Sequence, residues 1–339
     1  MKVNKAELLA ALEKVKPGLA SKEIIEQSAS FSFMDGRVVT YNDEISVSHP
    51  ITGLKGITGA IKAQELYQFL GKIDKDEIRL RLKDNQIVLK AGRAQAGFVF
   101  QQEIRLPIEE VGEVGEWHDL PSKFIDSLRF CAPICSKDMT RPILTCVNVH
   151  SSGTVVASDN YRMAAYSLQD KMPIETFLIP ATSAQELIKY NVKQIASGKG
   201  WTHFRTEDNT IFSCRVYNDH YPDVHQILEF EGVEVHLPSG LAQALERSQI
   251  FAKNELDDTV LVKISLNGNE LMVSAQQDFG WFQERLSVEY DGEPLRFMVN
   301  PIHLHEILEQ MSHCALGQDR IKFEADNWVY VIALTAEED

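Results

Sequence analysis

The 339-residue sequence has no apolar run of membrane-spanning length, no cysteine pair at C-x-x-C spacing, and fewer cations than anions, with 34 Lys plus Arg against 49 Asp plus Glu. A spanning helix needs about 20 consecutive apolar residues, so no membrane segment is expected. The chain opens M-K-V-N-K-A-E, directly into an amphipathic pattern and without an apolar h-region, and nothing marks secretion. The five cysteines, Cys131, Cys135, Cys146, Cys214 and Cys314, are odd in number. Four lie in apolar or strand-like segments, and they read as reduced, mostly buried thiols of a cytoplasmic protein. Also missing are G-x-x-x-x-G-K-[ST], G-x-G-x-x-G and H-E-x-x-H, which removes the usual support for nucleotide or zincin chemistry. His303 and His305 are two apart and would not share a helix face, so neither a metal nor a cofactor is expected. The formal charge of −15 argues against phosphate contact over the surface as a whole, although the distribution of charge decides which face meets a polyanion.

What the sequence does contain is repetition. L-P-S-K-F-I-D-S-L-R from Leu120 recurs as L-P-S-G-L-A-Q-A-L-E from Leu237, and K-A-E-L-L-A-A-L near the start keeps the same apolar spacing. The copies lie about 117 residues apart, one third of the chain each. Leu8, Leu9, Leu12 and Val15 show the helical spacing, and Asn4, Ser122 and Ser239 stand where caps belong. A second helix follows in every third, at A-Q-E-L-Y-Q-F-L from Ala63, A-Q-E-L-I-K-Y from Ala184 and P-I-H-L-H-E-I-L from Pro301. Pro180 and Pro301 fit a proline close to a helix start. Six amphipathic helices result.

Between the helices lie period-two runs joined by turn residues, two hairpins to each third. Examples are F-S-F-M-D-G-R-V-V-T, R-L-R-L-K-D-N-Q-I-V-L-K and K-I-S-L-N-G-N-E-L-M-V, with Asp-Gly, Asp-Asn and Asn-Gly as hairpin signals. V-V-A-S-D-N-Y-R-M-A-A-Y-S, Val155 to Ser167, has counterparts ending at Ser48 and Ser287, with Asp43, Asp159 and Asp278 in the acidic loops. Asp159 therefore reads as a turn residue, and only Tyr161-Arg162-Met163 is particular to the middle copy. The fold class that follows is α+β: three repeated domains at 1–115, 116–230 and 231–339, each with two helices on antiparallel sheet. Similar units that bend alike close a ring when the chain oligomerises with cyclic symmetry.

The expected helical segments, 5–16, 63–75, 121–137, 183–199, 238–253 and 300–311, carry thirteen Lys and Arg against nine Asp and Glu. That is +4, leaving −19 for the remainder. Two descriptions fit this asymmetry: a basic inner face that focuses a polyanion, or ordinary solvated helix surfaces.

These residues also resemble a known family. V-A-S-D-N-Y-R-M-A at 156–164 is similar to V-A-T-D-G-H-R-L-A of the bacterial DNA polymerase III beta subunit, the replicative sliding clamp. H-Y-P-D-V-H-Q-I-L at 220–228 resembles its F-P-D-Y-x-x-V-L-P, and the segment 287–308 resembles its V-x-Y-x-G-x-x-x-x-I-x-F-N-x-x-Y-L-x-D-x-L. The resemblance implies a head-to-tail homodimer of clamp-type domains that forms a ring. Helices would line the hole, and double-stranded DNA would pass through it without sequence readout or catalysis. It also implies an apolar groove, between the second and third domains, that docks short peptide motifs of a DNA polymerase and clamp-loader subunits. By position that groove would be formed by Leu144, Ser158, Asn160, Tyr161, Arg162, Met163, Pro222, Gln226 and Ile227, with Val331, Ala333 and Leu334. An Arg stem and a Met would give a peptide adaptable apolar cover. Read without the resemblance, Met163 and Leu144 are ordinary core residues.

The resemblance has departures. The family tail is M-P-M-R-L-like, whereas this sequence ends V-Y-V-I-A-L-T-A-E-E-D, which alters the rim and the peptide preference. Asn160 and Tyr161 replace Gly and His; Asn tolerates the left-handed backbone that Gly would supply. DNA contacts would come from Lys22, Lys137, Arg141 and Lys253 in loops and from Lys14, Lys16, Lys123, Arg129, Lys189, Lys193 and Arg247 on or beside helices. Each of these is otherwise a solvated surface charge. Two alternatives stay open: a clamp-shaped protein-binding scaffold that does not encircle DNA, and a hydrolase built on Asp159, His220 and His225.

Overall fold

A computed structural model describes all residues except Lys55, Glu113, 253–259 and 337–339, and it describes the backbone but not the side chain of His225. The chain packs as two compact units. The first holds Met1–Arg129, His150–Ser152 and Lys171–Asp219; the second holds Phe130–Val149, Gly153–Asp170 and His220–Asp339.

The helices of the described residues are α1 Lys5–Val15, α2 Ala63–Gly71, α3 Phe124–Cys131, α4 Ala181–Leu187, α5 His225–Leu228, α6 Leu241–Ser248 and α7 Pro301–Leu308; all but the four-residue α5, which was not expected, fall where the apolar spacing places them. Asn4 caps α1 by accepting from Ala6 N and Glu7 N at 2.8 and 3.2 Å, which satisfies two of the four orphan donors at a helix start. Asn300 does the same for α7, with Pro301 at the first helical position. Ser239 does not cap: Gly240 occupies the N-cap position of α6 and contributes no side-chain bond. The expected segment 183–199 is helix only to Leu187. Residues Val192–Ser197 are a strand, since Val192, Ile195 and Ala196 satisfy a sheet core as well as a helix face. Pro133 ends α3 early, and Ala132–Ile134 tightens into a 3-10 turn.

In the first unit, the larger sheet runs Gly59–Lys62, Ser30–Met34, Arg37–Tyr41, Ile45–Pro50, Ile211–Arg215, Trp201–Thr206, Val192–Ser197, His118–Asp119. Its helix α1 packs on Ile45–Pro50 and Arg37–Tyr41, burying Leu8, Leu12 and Val15. The smaller sheet runs Lys2–Asn4, Glu77–Lys83, Gln86–Ala91, Ala94–Val99.

In the second unit, the larger sheet contains Cys146–Val149, Thr154–Ser158, Arg162–Ser167, Trp328–Ala333, Arg320–Ala325, His313–Leu316 and Val233–His236, in that order. The smaller runs Gly280–Ser287, Glu270–Gln277, Val262–Asn267, Leu295–Val299, Thr335–Ala336. Helices α6 and α7 pack on each other, and α6 also lies on Glu270–Gln277 and Gly280–Ser287.

Both larger sheets obey one rule of strand order. Three consecutive strands of one third (Ser30 to Pro50, or Cys146 to Ser167) abut, through their last strand, the last strand of a three-strand run from the next third (Val192 to Arg215, or His313 to Ala333). Val262 to Ser287 and Glu77 to Val99 form a run of each kind. Among the described residues, their last strands, Gly280–Ser287 and Ala94–Val99, have a strand neighbour on one side only.

Candidate functional site

The strand pair Thr154–Ser158 and Arg162–Ser167 turns through Asp159-Asn160-Tyr161 as the sequence implies. Asp159 Oδ1 accepts from Tyr161 N and Arg162 N at 3.0 and 2.9 Å, an Asx turn. Asn160 has φ +76°, the left-handed conformation that Asn adopts at modest cost. Its Oδ1 accepts from Arg141 Nη1 at 3.0 Å, which ties the turn to the short 3-10 segment Pro142–Thr145 that carries Leu144. Asp159 is thereby a turn residue. No group of three His, Cys, Asp or Glu among the described residues could hold a metal.

Strand pairing brings the expected C-terminal wall to this turn. Met163 lies opposite Val331, and Ala333 N donates to Tyr161 O at 2.8 Å. Helix α5, which carries Gln226 and Ile227, packs on Trp328–Ala333, and Arg320 Nη1 holds Ile227 O at 3.3 Å. Met163 joins Val156, Ala165 and Val224 in a buried apolar cluster, with Tyr221 and Leu228 packed against it. Leu144, Val331 and Leu334 are also buried. What a ligand would meet is Tyr161, 66% exposed, and Ile227, 42% exposed, with exposed Pro222, Gln226 and Ala333 and the half-buried Ser158.

Arg162 does not belong to that surface. Neighbouring strand residues point to opposite faces, so Arg162 turns away from Met163 toward α7 and the turn after α3. Its guanidinium is buried and has four partners: Asp159 Oδ2 at 2.9 Å, Tyr330 Oη at 3.1 Å, Pro133 O at 3.2 Å and Glu306 Oε2; the backbone N–H of Arg162 donates separately to Asp159 Oδ1. Burial opposes its charge, but Tyr330 and Glu306 more than offset that and hold the guanidinium protonated. His303 is packed beside the group, 3.9 Å from Asp159 Oδ2. Burial and then the Arg162 charge push its imidazole down to about 4. The expected apolar cover from an Arg stem is therefore corrected: the residue is a buried electrostatic knot beneath the sheet.

The expected DNA-contacting cations are mostly matched by carboxylates. Lys14 pairs with Asp208, and Lys16 with Glu13 at 3.3 Å. Lys123 and Arg129 share Asp126 at 3.7 and 2.8 Å. Lys189 pairs with Glu186 at 2.6 Å, Lys193 with Glu207 at 3.9 Å, and Arg247 binds Glu284 through two nitrogens. Lys22 and Lys137 are exposed, and Arg141 is held by Asn160. Lys253 lies outside the described residues. Helices α1 to α7 as folded contain four Lys and Arg against seven Asp and Glu. The expected +4 thus sits in flanking turns and in the strand Val192–Ser197 rather than on the helices.

One set of residues escaped the sequence reading. Phe279 and Trp281 are 68% and 69% exposed at the edge strand Gly280–Ser287, with Ile250 67% exposed nearby and Phe251 stacked on Phe279 at 5.9 Å. On the other open edge, Val99 is 68% exposed. Exposed aromatics on the open side of an edge strand are the usual mark of an interaction edge, but the signal is legible only once the strand order is known.

No family model matches the sequence. Among solved structures, the chain superimposes on the DNA polymerase sliding clamp of Bacillus subtilis with a TM-score of 0.84 at 17% identity, covering 99% of each chain. The DNA polymerase III subunit beta of Pseudomonas aeruginosa gives 0.85 at 18%, and that of Thermotoga maritima 0.83 at 16%, again over 99% of both chains. The chain has the sliding-clamp fold. Within the clamp fold, the three expected copies are α1 with α2, α3 with α4 and α6 with α7, each with its hairpins. All five cysteines are free and buried, as expected. No helix among the described residues is long and apolar enough to cross a membrane.

Proposed function

We propose that this chain is a DNA sliding clamp: a cytoplasmic head-to-tail homodimer of domains 1–115, 116–230 and 231–339 that encircles duplex DNA without sequence preference. It tethers a replicative polymerase and clamp-loader subunits and performs no covalent chemistry itself. The observation that carries this reading is the strand order. Joining Gly280–Ser287 of one protomer to Ala94–Val99 of another makes a sheet with the same order as the two larger sheets within the chain. The exposed Phe279, Trp281 and Val99 would be covered by that joint. Two unlike edges per protomer give a heterologous contact, which closes into a ring when the rotation allows.

The peptide site of this reading is the surface of Tyr161, Ile227, Pro222, Gln226 and Ala333 over a floor of Met163, Leu144 and Val331. Leu334 and the Ser158–Asn160 turn would support it. A floor already packed and two exposed apolar side chains at its rim suit a short apolar motif.

The deciding experiment is retention on nicked circular DNA after clamp loading. A clamp stays on the circle and runs off once it is cut. Equal loss from both forms would instead leave the scaffold reading. Trp281→Lys should convert the dimer to monomer in sedimentation, because a charge at a strand edge blocks edge pairing. A Trp281→Lys protein that stays dimeric rules out the proposed joint.

A further inference from the structure

Among the described residues, one cluster of exposed positive charge in this acidic chain lies neither on a helix nor among the expected DNA contacts. It is on the solvent face of the four-stranded sheet in the first unit. There Lys2 lies opposite Arg79, Arg79 opposite Lys90, and Arg81 and Lys83 follow at alternate positions on the same face. All five are exposed. Lys2 is paired with Glu77 at 3.1 Å; among the described residues, no carboxylate is paired with Arg79, Arg81, Lys83 or Lys90. This contrasts with Lys14, Lys189 or Arg247, each of which has its own acid.

Folding does not account for this row. Like charges directly opposite on neighbouring strands repel and destabilise the pair, and here three stand in line. Lysines do protect sheet edges from wrong pairing, but Glu77–Lys83 and Gln86–Ala91 are the two inner strands of this sheet. The opposite face already holds the core residues Ile78, Leu80, Ile87 and Leu89, so the cations are not needed to set register.

We propose that this face docks a short Asp- or Glu-rich segment of a partner protein. With strands about 4.8 Å apart and about 3.3 Å per residue, the patch measures roughly 10 by 13 Å. That is little more than the screening length of about 8 Å in physiological salt, so the four cations act together on a ligand of a few residues. Duplex DNA fits less well. It carries a charge about every 1.7 Å of axis, and any length that is held extends past the patch onto a surface whose total is −15. Single-stranded nucleic acid would want stacking platforms, and the rest of this face, which includes Glu77, Gln86, Val88, Gln95, Gly97 and Val99, has no aromatic.

The test is fluorescence anisotropy of a labelled hexaglutamate peptide on the full-length protein, with hexaglutamine and a short duplex DNA as comparison probes. Hexaglutamate should bind at low salt and weaken as salt rises; hexaglutamine should not bind. Arg79→Thr, Arg81→Thr, Lys83→Thr and Lys90→Thr together should weaken hexaglutamate by about tenfold or more, with a melting temperature equal to or above that of the parent. Removing four exposed cations elsewhere, by Lys171→Thr, Lys199→Thr, Arg285→Thr and Arg296→Thr, changes net charge equally and should leave most of the binding. The proposal fails if the parent does not bind hexaglutamate, if both quadruple variants lose it equally, or if the duplex binds this face more tightly than the peptide does.

Discussion

Arg162 and Asp159 are joined at 2.9 Å between Nε and Oδ2, with side chains only 8% and 14% exposed. The pair fixes the turn and, through Tyr330 and Glu306, anchors two strands of the sheet to α7. Removing one member of a buried pair leaves the other charge without a partner, so Arg162→Ala should cost about 3 kcal/mol in urea denaturation. Met163→Ala should cost about 2–5 kcal/mol by opening a cavity. Neither variant is a clean probe of peptide binding. Tyr161→Ala, at an exposed position, should change stability by no more than about 0.5 kcal/mol while weakening a polymerase peptide. Normal peptide affinity in that variant would remove Tyr161 from the site.

The pH dependence of stability should be dominated, between pH 6.5 and 4, by two histidines. His203 is fully buried, with Nδ1 2.8 Å from Ser213 Oγ, and burial pushes it down to about 4; His303 is lowered to a similar value. In this window the unfolded chain binds a proton at each site that the folded chain refuses, so stability rises with pH. It is fully present above the unfolded value near 6.5 and is lost as pH falls toward 4. Going from pH 7.5 to pH 5 should remove about 2 kcal/mol per histidine. Urea midpoints at the two pH values check this, and His303→Gln should flatten the difference by about one histidine's share.

Binding to linear duplex should be weak and only moderately sensitive to salt. Seven of the expected contact cations already hold a carboxylate, leaving Lys22, Lys137 and Arg141 as the described ones without a salt bridge. If about three phosphates are neutralised, the log–log salt slope is about −3. Lys22→Ala should reduce it by about one, and Lys14→Ala should leave it unchanged. A slope near −10 in a filter-binding titration would mean that the ion pairs open to DNA.

Much of the fold was legible in the sequence because its signals are local. Asp-Gly, Asn-Gly and Asp-Asn between alternating runs placed the hairpins, and Asn160 took the left-handed turn expected of it. The end of α4 was not legible, since Val192 and Ile195 keep an apolar spacing that serves either a helix or a strand. Arg162 was misjudged for a different reason: the family match runs through consecutive residues, whereas a strand sends consecutive residues to opposite faces. The pairing of Lys14 with Asp208 spans 194 positions, and a count of helix charge cannot anticipate it. Trp281 and Phe279 read as ordinary strand apolars until the sheet order leaves one side of their strand open.

The two open strands of this chain are of different kinds: Gly280–Ser287 ends a run of one sort, Ala94–Val99 a run of the other. Growth through unlike ends has no built-in stop, since each added copy presents a fresh end until the first and last copies meet. In the proposed joint, the number of copies at which that happens is set by the rotation from one copy to the next. A substitution that changed this rotation would turn a finite particle into a lengthening fibre without altering any residue at the seam.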